Sequence, residues 1–215
     1  MKRFIFLFAI ACAAVSQAQI KMSVEMSGHP VGTASLSQQI RADGGKSVDL
    51  RMDLTTGGQK LTVRSQNTFD KAGLPTRKFL ESIIPGGKLQ RQIIVSFDAE
   101  GASIVILDGG NRQTKKAPLI SNAPRANASE FWFLRDKPKP GDKCESYVFN
   151  TDTMAWDLQT VVYKGEKTIQ VGGKPQRAHE VETTGVRKAT AYLDDKGLPW
   201  LIEAGATTMK RISEN

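Results

Sequence analysis

The sequence predicts a mainly β protein, α+β at most: one large curved antiparallel meander sheet, half-barrel-like, with a single short helix covering its concave face. Apolar residues alternate with polar ones, as in Ile20, Met22, Val24 and Met26 against Lys21, Ser23 and Glu25. Val48, Leu50, Met52 and Leu54 alternate in the same way with Asp49, Arg51 and Asp53. A period of two with one wet face is the pattern of a half-buried antiparallel strand. Turn chemistry then recurs at short intervals, at Asp43-Gly44-Gly45, Gly57-Gly58, Pro85-Gly86-Gly87, Asp108-Gly109-Gly110-Asn111 and Gly172-Gly173. Paired glycines accept the positive φ of tight hairpin turns, so neighbouring strands follow one another as a meander.

The chain opens with Lys2 and Arg3, an apolar run from Phe4 to Val15, and the small residues Ser16 and Ala18 around Gln17. This is the layout of a secretory signal cleaved after Ala18. Residues 19–215 then form a single β-rich domain. An alternative processing point is Ala9-Ile10-Ala11-Cys12, which loosely follows a lipobox and would leave Cys12 as a lipidated first residue. Removing the leader takes Lys2 and Arg3 away from a formal charge of +8, so the basic excess of the remainder is modest. No later apolar run approaches the roughly 18 residues that span a bilayer as a helix. Cleavage leaves Cys144 without an intramolecular partner, as a buried inert thiol or an exposed one that pairs between chains.

Ile93-Ile94-Val95 and Ile104-Val105-Ile106-Leu107 are apolar on both faces and read as central strands covered on both sides. The helix candidate runs from Ala126 to Leu134, where Asn127 caps and Glu130 sits three residues on. Lys137-Pro138-Lys139-Pro140-Gly141-Asp142 then ends any helix and resets the chain to extended structure. Phe69-Asp70-Lys71-Ala72-Gly73-Leu74-Pro75 is echoed by Leu193-Asp194-Asp195-Lys196-Gly197-Leu198-Pro199, and in part by Phe97 to Gly101. An aspartate followed by a glycine three residues later is turn chemistry, and the segments lack the dense oxygen spacing of a calcium loop.

Motifs for catalysis are missing: there is no G-x-S-x-G elbow, no H-E-x-x-H, no Walker loop and no G-x-G-x-x-G opening a helix. His29 lies in a turn beside Pro30, and His179 lies in a strand over Ala178 to Thr183. A hydrolase built on His179 and carboxylates brought close in space is the enzymatic alternative. Basic pairs such as Lys115-Lys116 and Lys210-Arg211 are dispersed and carry no interleaved aromatics, which argues against nucleic acid. Phe131-Trp132-Phe133 is the one dense aromatic cluster, and core packing explains it better than a sugar platform.

Asn127-Ala-Ser-Glu-Phe-Trp-Phe-Leu-Arg135 with Lys139-Pro-Gly-Asp142 resembles a helix and Pro-Gly-Asp turn of a family of exported bacterial proteins of unknown function. Gly165 to Gly173 before Ala178-His-Glu-Val-Glu182, and Tyr192-Leu-Asp-Asp-Lys-Gly-Leu-Pro199, resemble that family's later hairpins. The resemblance implies a curved antiparallel sheet similar in shape to the LolA and LppX lipoprotein-carrier half-barrels, and it supplies no catalytic residues.

The expectation is therefore a non-enzymatic envelope protein, periplasmic or extracellular, needing no cofactor or metal. It would bind a lipid, an acyl chain or another hydrophobic ligand in a groove lined by Leu50, Met52, Leu54, Leu61, Val63, Ile104 and Ile106. The alternative is an assembly module that docks an envelope protein partner through its sheet edges.

Overall fold

The computed structural model describes residues 17–120, 132, 136–185 and 188–212. Strands β1 (Gln17–Met26), β2 (His29–Ile40), β3 (Lys46–Thr56), β4 (Gln59–Phe69), β5 (Pro75–Ile84), β6 (Lys88–Phe97), β7 (Gly101–Asp108) and β8 (Asn111–Pro118) form the first run. The second run is β9 (Lys143–Asn150), β10 (Ala155–Val171), β11 (Lys174–Thr184), β12 (Ala189–Leu193), β13 (Pro199–Ala204) and β14 (Thr207–Arg211). All belong to one 14-stranded sheet, in the order β8-β7-β6-β5-β4-β3-β2-β1-β14-β13-β12-β11-β10-β9. Every pairing is antiparallel, as the turn chemistry requires.

The pairing of β1 with β14 joins the two runs in mid-sheet, with Val24 opposite Met209. It leaves β8 and β9 as the outer strands, and the sheet is not closed between them. β1 begins at Gln17, just ahead of the expected mature N-terminus at Gln19, with Gln17 opposite Gln39.

Register defines one continuous inner face. Ile20, Leu36, Leu50, Ser65, Leu80, Ile93 and Ile106 stand side by side from β1 to β7. Val24, Met209, Ile202, Ala191, Val181 and Tyr163 continue that face through β14 to β10. Met22 and Val24 are almost completely buried on it, at 1% and 2% exposure.

Phe149 and Trp156 pair across β9 and β10 on the opposite face, because Trp156 is an odd number of residues from Val161 and Tyr163. They nevertheless pack on the inner-face residues Ile93, Val95, Ala102, Ile104 and Ile106. The outer face of the β9–β10 end therefore rests on the inner face of the β6–β8 end, as in a rolled sheet whose ends overlap. Phe149 meets Phe97 edge-on with ring centres 6.0 Å apart, and Trp156 edge-on at 5.5 Å. Trp156 Nε1 donates to the Ala117 carbonyl at 3.3 Å, and Lys78 Nζ to the Phe149 carbonyl at 3.4 Å. A side-chain seam thus holds together edges that share no backbone ladder.

One expectation lies largely outside the described residues, and another changes. The helix expected over Ala126 to Leu134 lies outside the described residues except for Trp132. Trp132 is buried against Val161, Tyr163, Val181 and Leu193, so the aromatic cluster contributes at least this ring to core packing. Trp132 and Asp136 are helical; the other described secondary structure is strands and a 3-10 turn at Pro85–Gly87. The apolar runs in β6 and β7 are also not covered on both sides. Ile93, Val95, Ile104 and Ile106 are buried, whereas Ile94, Val105 and Leu107 stay half-exposed on the outer face, beside Phe79.

Candidate ligand-binding face

Leu50, Met52 and Leu54 alternate along β3 onto the inner face, and β4 sets Val63 opposite Met52 and Leu61 opposite Leu54. Leu50, Met52 and Leu54 lean on Met22, Val24 and Ala34. Even so, all five β3 and β4 side chains remain half-buried. Register also places Ile104 and Ile106 on this face, but here the β9–β10 end covers them, at 2% and 5% exposure. The seven residues are therefore brought to one face and divided in two: a sealed part over β6 and β7, and a half-open part over β3 and β4. Alternation alone could give the shared face; the overlap comes from contacts distant in sequence.

The outer face of the same strands is polar and paired. Arg51 bridges Asp53 at 2.9 Å, Thr62 Oγ1 donates to Asp53 at 2.7 Å, and Arg64 bridges Glu81 at 3.1 Å. The Arg51 guanidinium and the Thr62 hydroxyl hold the Asp53 carboxyl below its ordinary range. A shallow depression of about 430 Å³ here is lined by Ser35, Ser37, Asp49, Arg51, Arg64 and Glu81. Arg51 and Arg64 are ion-paired with Asp53 and Glu81, and Asp49 accepts from the Ser47 hydroxyl and the Gln66 side-chain amide.

His29 is exposed at the start of β2. His179 is different: its Nδ1 lies 3.0 Å from the Tyr163 hydroxyl and its Nε2 lies 3.0 Å from Asp195 Oδ1. Burial pushes the Tyr163 phenol above its ordinary value. The Asp195 side chain that ends this chain of groups is 80% exposed. The chain of groups ties β10, β11 and the β12–β13 turn together. Sequence reading singled out His179 but not its partners, which lie sixteen residues away on either side.

Among the described residues no cluster of three His, Cys, Asp or Glu side chains is arranged to hold a metal ion. The aspartates of the repeated segment are used by the backbone. Asp70 Oδ1 accepts from the amides of Ala72 and Leu74, and Asp194 Oδ1 from those of Lys196 and Leu198, all at 2.8–2.9 Å. Gly73 and Gly197 take φ of 83° and 75°, a conformation that favours glycine. Cys144 is half-buried against the Trp132 cluster.

No known protein family and no curated protein matches the chain. Among solved structures, it is similar to a β-barrel-like protein of a domain of unknown function, DUF1849, from Brucella abortus. The TM-score is 0.58 at 11% identity, over 93% of this chain and 96% of that one. A DUF1089 protein from Pseudomonas aeruginosa aligns over 93% of this chain and 95% of its own, at 13% identity and a TM-score of 0.39. The first likeness shows the fold: the chain adopts a β-barrel-like, antiparallel architecture shared with a domain of unknown function.

Proposed function

We propose that the protein is an exported, non-enzymatic envelope protein that holds a lipid, an acyl chain or another hydrophobic ligand on the half-open part of its inner face. One observation carries this reading. Leu50, Met52, Leu54, Leu61 and Val63 are half-buried, while Ile104 and Ile106 on the same face are sealed by the protein's own aromatic rings. A fold gains by covering apolar side chains, at about 25 cal/mol per Å², so a half-buried stretch of an apolar face is a place for a further apolar group. From Leu50 to Leu54 the half-open row extends about 14 Å at the usual strand rise. A single acyl chain reaches across about half of a ~30 Å hydrocarbon core, so the row seats most of one. Each methylene buried contributes about 0.8 kcal/mol, and Met52 supplies an unbranched, polarizable lining that adapts to a flexible chain.

Protein purified from its native envelope is extracted with organic solvent and the extract analysed by mass spectrometry, alongside thermal melts with added fatty acids and phospholipids. The reading expects a recurrent co-purifying lipid and a rise in melting temperature. Repeated absence of lipid together with unchanged melts would overturn it.

A further inference from the structure

We infer that the outer edge of β8 docks an extended acidic segment of a partner protein, added to the sheet as a further antiparallel strand. This does not depend on ligand binding at the inner face. β8 ends the strand order, and every residue from Asn111 to Lys116 is exposed. Its outward backbone amides and carbonyls have no strand to bond among the described residues, and an exposed edge of this kind is a template for strand addition.

The other outer strand, β9, is unlike it. Ser146 and Phe149 are buried there, and Lys78 donates to the Phe149 carbonyl. At the far end of β8, Pro118 has no backbone N–H to donate, which confines the open edge to the residues before it.

Charge selects the occupant. Arg112, Lys115 and Lys116 have no ion pair among the described residues, and the nearby acid Asp108 faces Arg91. Lysines on an edge repel a second copy of the same edge, so these cations disfavour self-pairing and favour an acidic strand. Register sharpens the match. Arg112 lies beside Leu107 and Lys116 beside Ser103 on the outer face, four residues apart, while Lys115 lies beside Ile104 on the other face. A complementary strand carries acids four residues apart on one face, each opposite a cation, the arrangement in which cross-strand pairs are most favourable.

The test uses the full chain and a synthetic peptide of alternating Thr and Val with Glu at two positions four residues apart, titrated by calorimetry. Two N-methylated versions block alternate sets of peptide amides, and an Arg112→Glu/Lys116→Glu double variant reverses the charge at exposed sites. Strand addition predicts that one N-methylation pattern abolishes binding while the other leaves it intact. It also predicts that the double variant, with an unchanged melting temperature, binds the Glu peptide at least tenfold more weakly and gains affinity for the Lys counterpart. Equal binding of both N-methylated peptides would reduce the effect to diffuse charge attraction and overturn the inference. So would binding to anionic phosphatidylglycerol vesicles with no binding of the peptide.

Discussion

Replacing Phe149 by alanine tests the seam between the sheet ends directly. Phe149 is 5% exposed, belongs to the buried cluster of Ile93, Val95, Ala102, Ile104 and Ile106, and meets the rings of Phe97 and Trp156. Removing a buried phenylalanine costs about 3–5 kcal/mol, the transfer of the ring plus the cavity it leaves. The two edge-on ring contacts, each worth about 0.5–1.5 kcal/mol, place the expected loss in the upper half of that range. For a chain of this size about 4 kcal/mol lowers the melting temperature by about 8–16 °C. Leu158→Ala is the matched control: Leu158 lies on the same strand face as Trp156 but is 45% exposed, so its loss should stay within about 0.5 kcal/mol. Equilibrium urea unfolding followed by tryptophan fluorescence measures both. Amide exchange should accelerate in β9 and the start of β10 before it does in β1 and β2. A Phe149→Ala loss under about 1 kcal/mol, with exchange unchanged in β9, would refute the view that side chains rather than backbone pairing hold the ends together.

Arg211 donates to Asp194 at 2.9 Å and to the carbonyls of Leu198 and Pro199, and lies over the Trp200 ring at 3.8 Å. Arg211→Met should therefore destabilise by about 3 kcal/mol, because it strands a largely buried carboxylate, and urea midpoints for Arg211→Met and Arg211→Met/Asp194→Asn should differ. At Gly101, with φ of 146°, a Cβ would sit 2.3 Å from the Ala117 carbonyl oxygen, whereas the space around Gly110 is open. Gly101→Ala should lose more than about 2 kcal/mol, and Gly110→Ala less, by the same assay. Asp53 is held below its ordinary range chiefly by its hydrogen bond from Arg51. Its contribution is therefore present above the ordinary aspartate range and disappears as pH falls through the depressed value. In acid titrations followed by circular dichroism, Asp53→Asn should show a shallower loss of stability on the acid side, a small effect because the pair is half-exposed.

Local structure was legible because local rules decide it. The alternation of Ile20 to Met26 and of Val48 to Leu54 became β1 and β3 with the apolar residues on one face. Gly57-Gly58, Gly109-Gly110 and Gly172-Gly173 became turns because glycine takes the positive φ they need. The Asp70 and Asp194 segments proved to be turns that satisfy their own backbone.

What the sequence hid depends on distant contacts. Nothing local indicates that β14 pairs with β1 and splits the meander into two runs. Nor does anything local indicate that Phe149 and Trp156, both in the second run, cover Ile104 and Ile106 in the first. That overlap decides which expected groove residues remain available. β10 extends through seventeen residues, with a bulge between Tyr163 and Gly165. The bulge brings Glu166 opposite His179 beside Arg177, an arrangement with no motif to announce it.

The central claim is that the half-open rows of β3 and β4 seat an apolar chain, and its most direct test is the dissociation constant of saturated fatty acids as chain length increases. Burial against Leu50, Met52, Leu54, Leu61 and Val63 predicts an affinity that rises about fourfold with each added methylene, from about 0.8 kcal/mol apiece, until the row is filled. It also predicts a loss of that dependence in Met52→Glu/Val63→Glu. No binding at any length, or an affinity indifferent to length, would contradict the account.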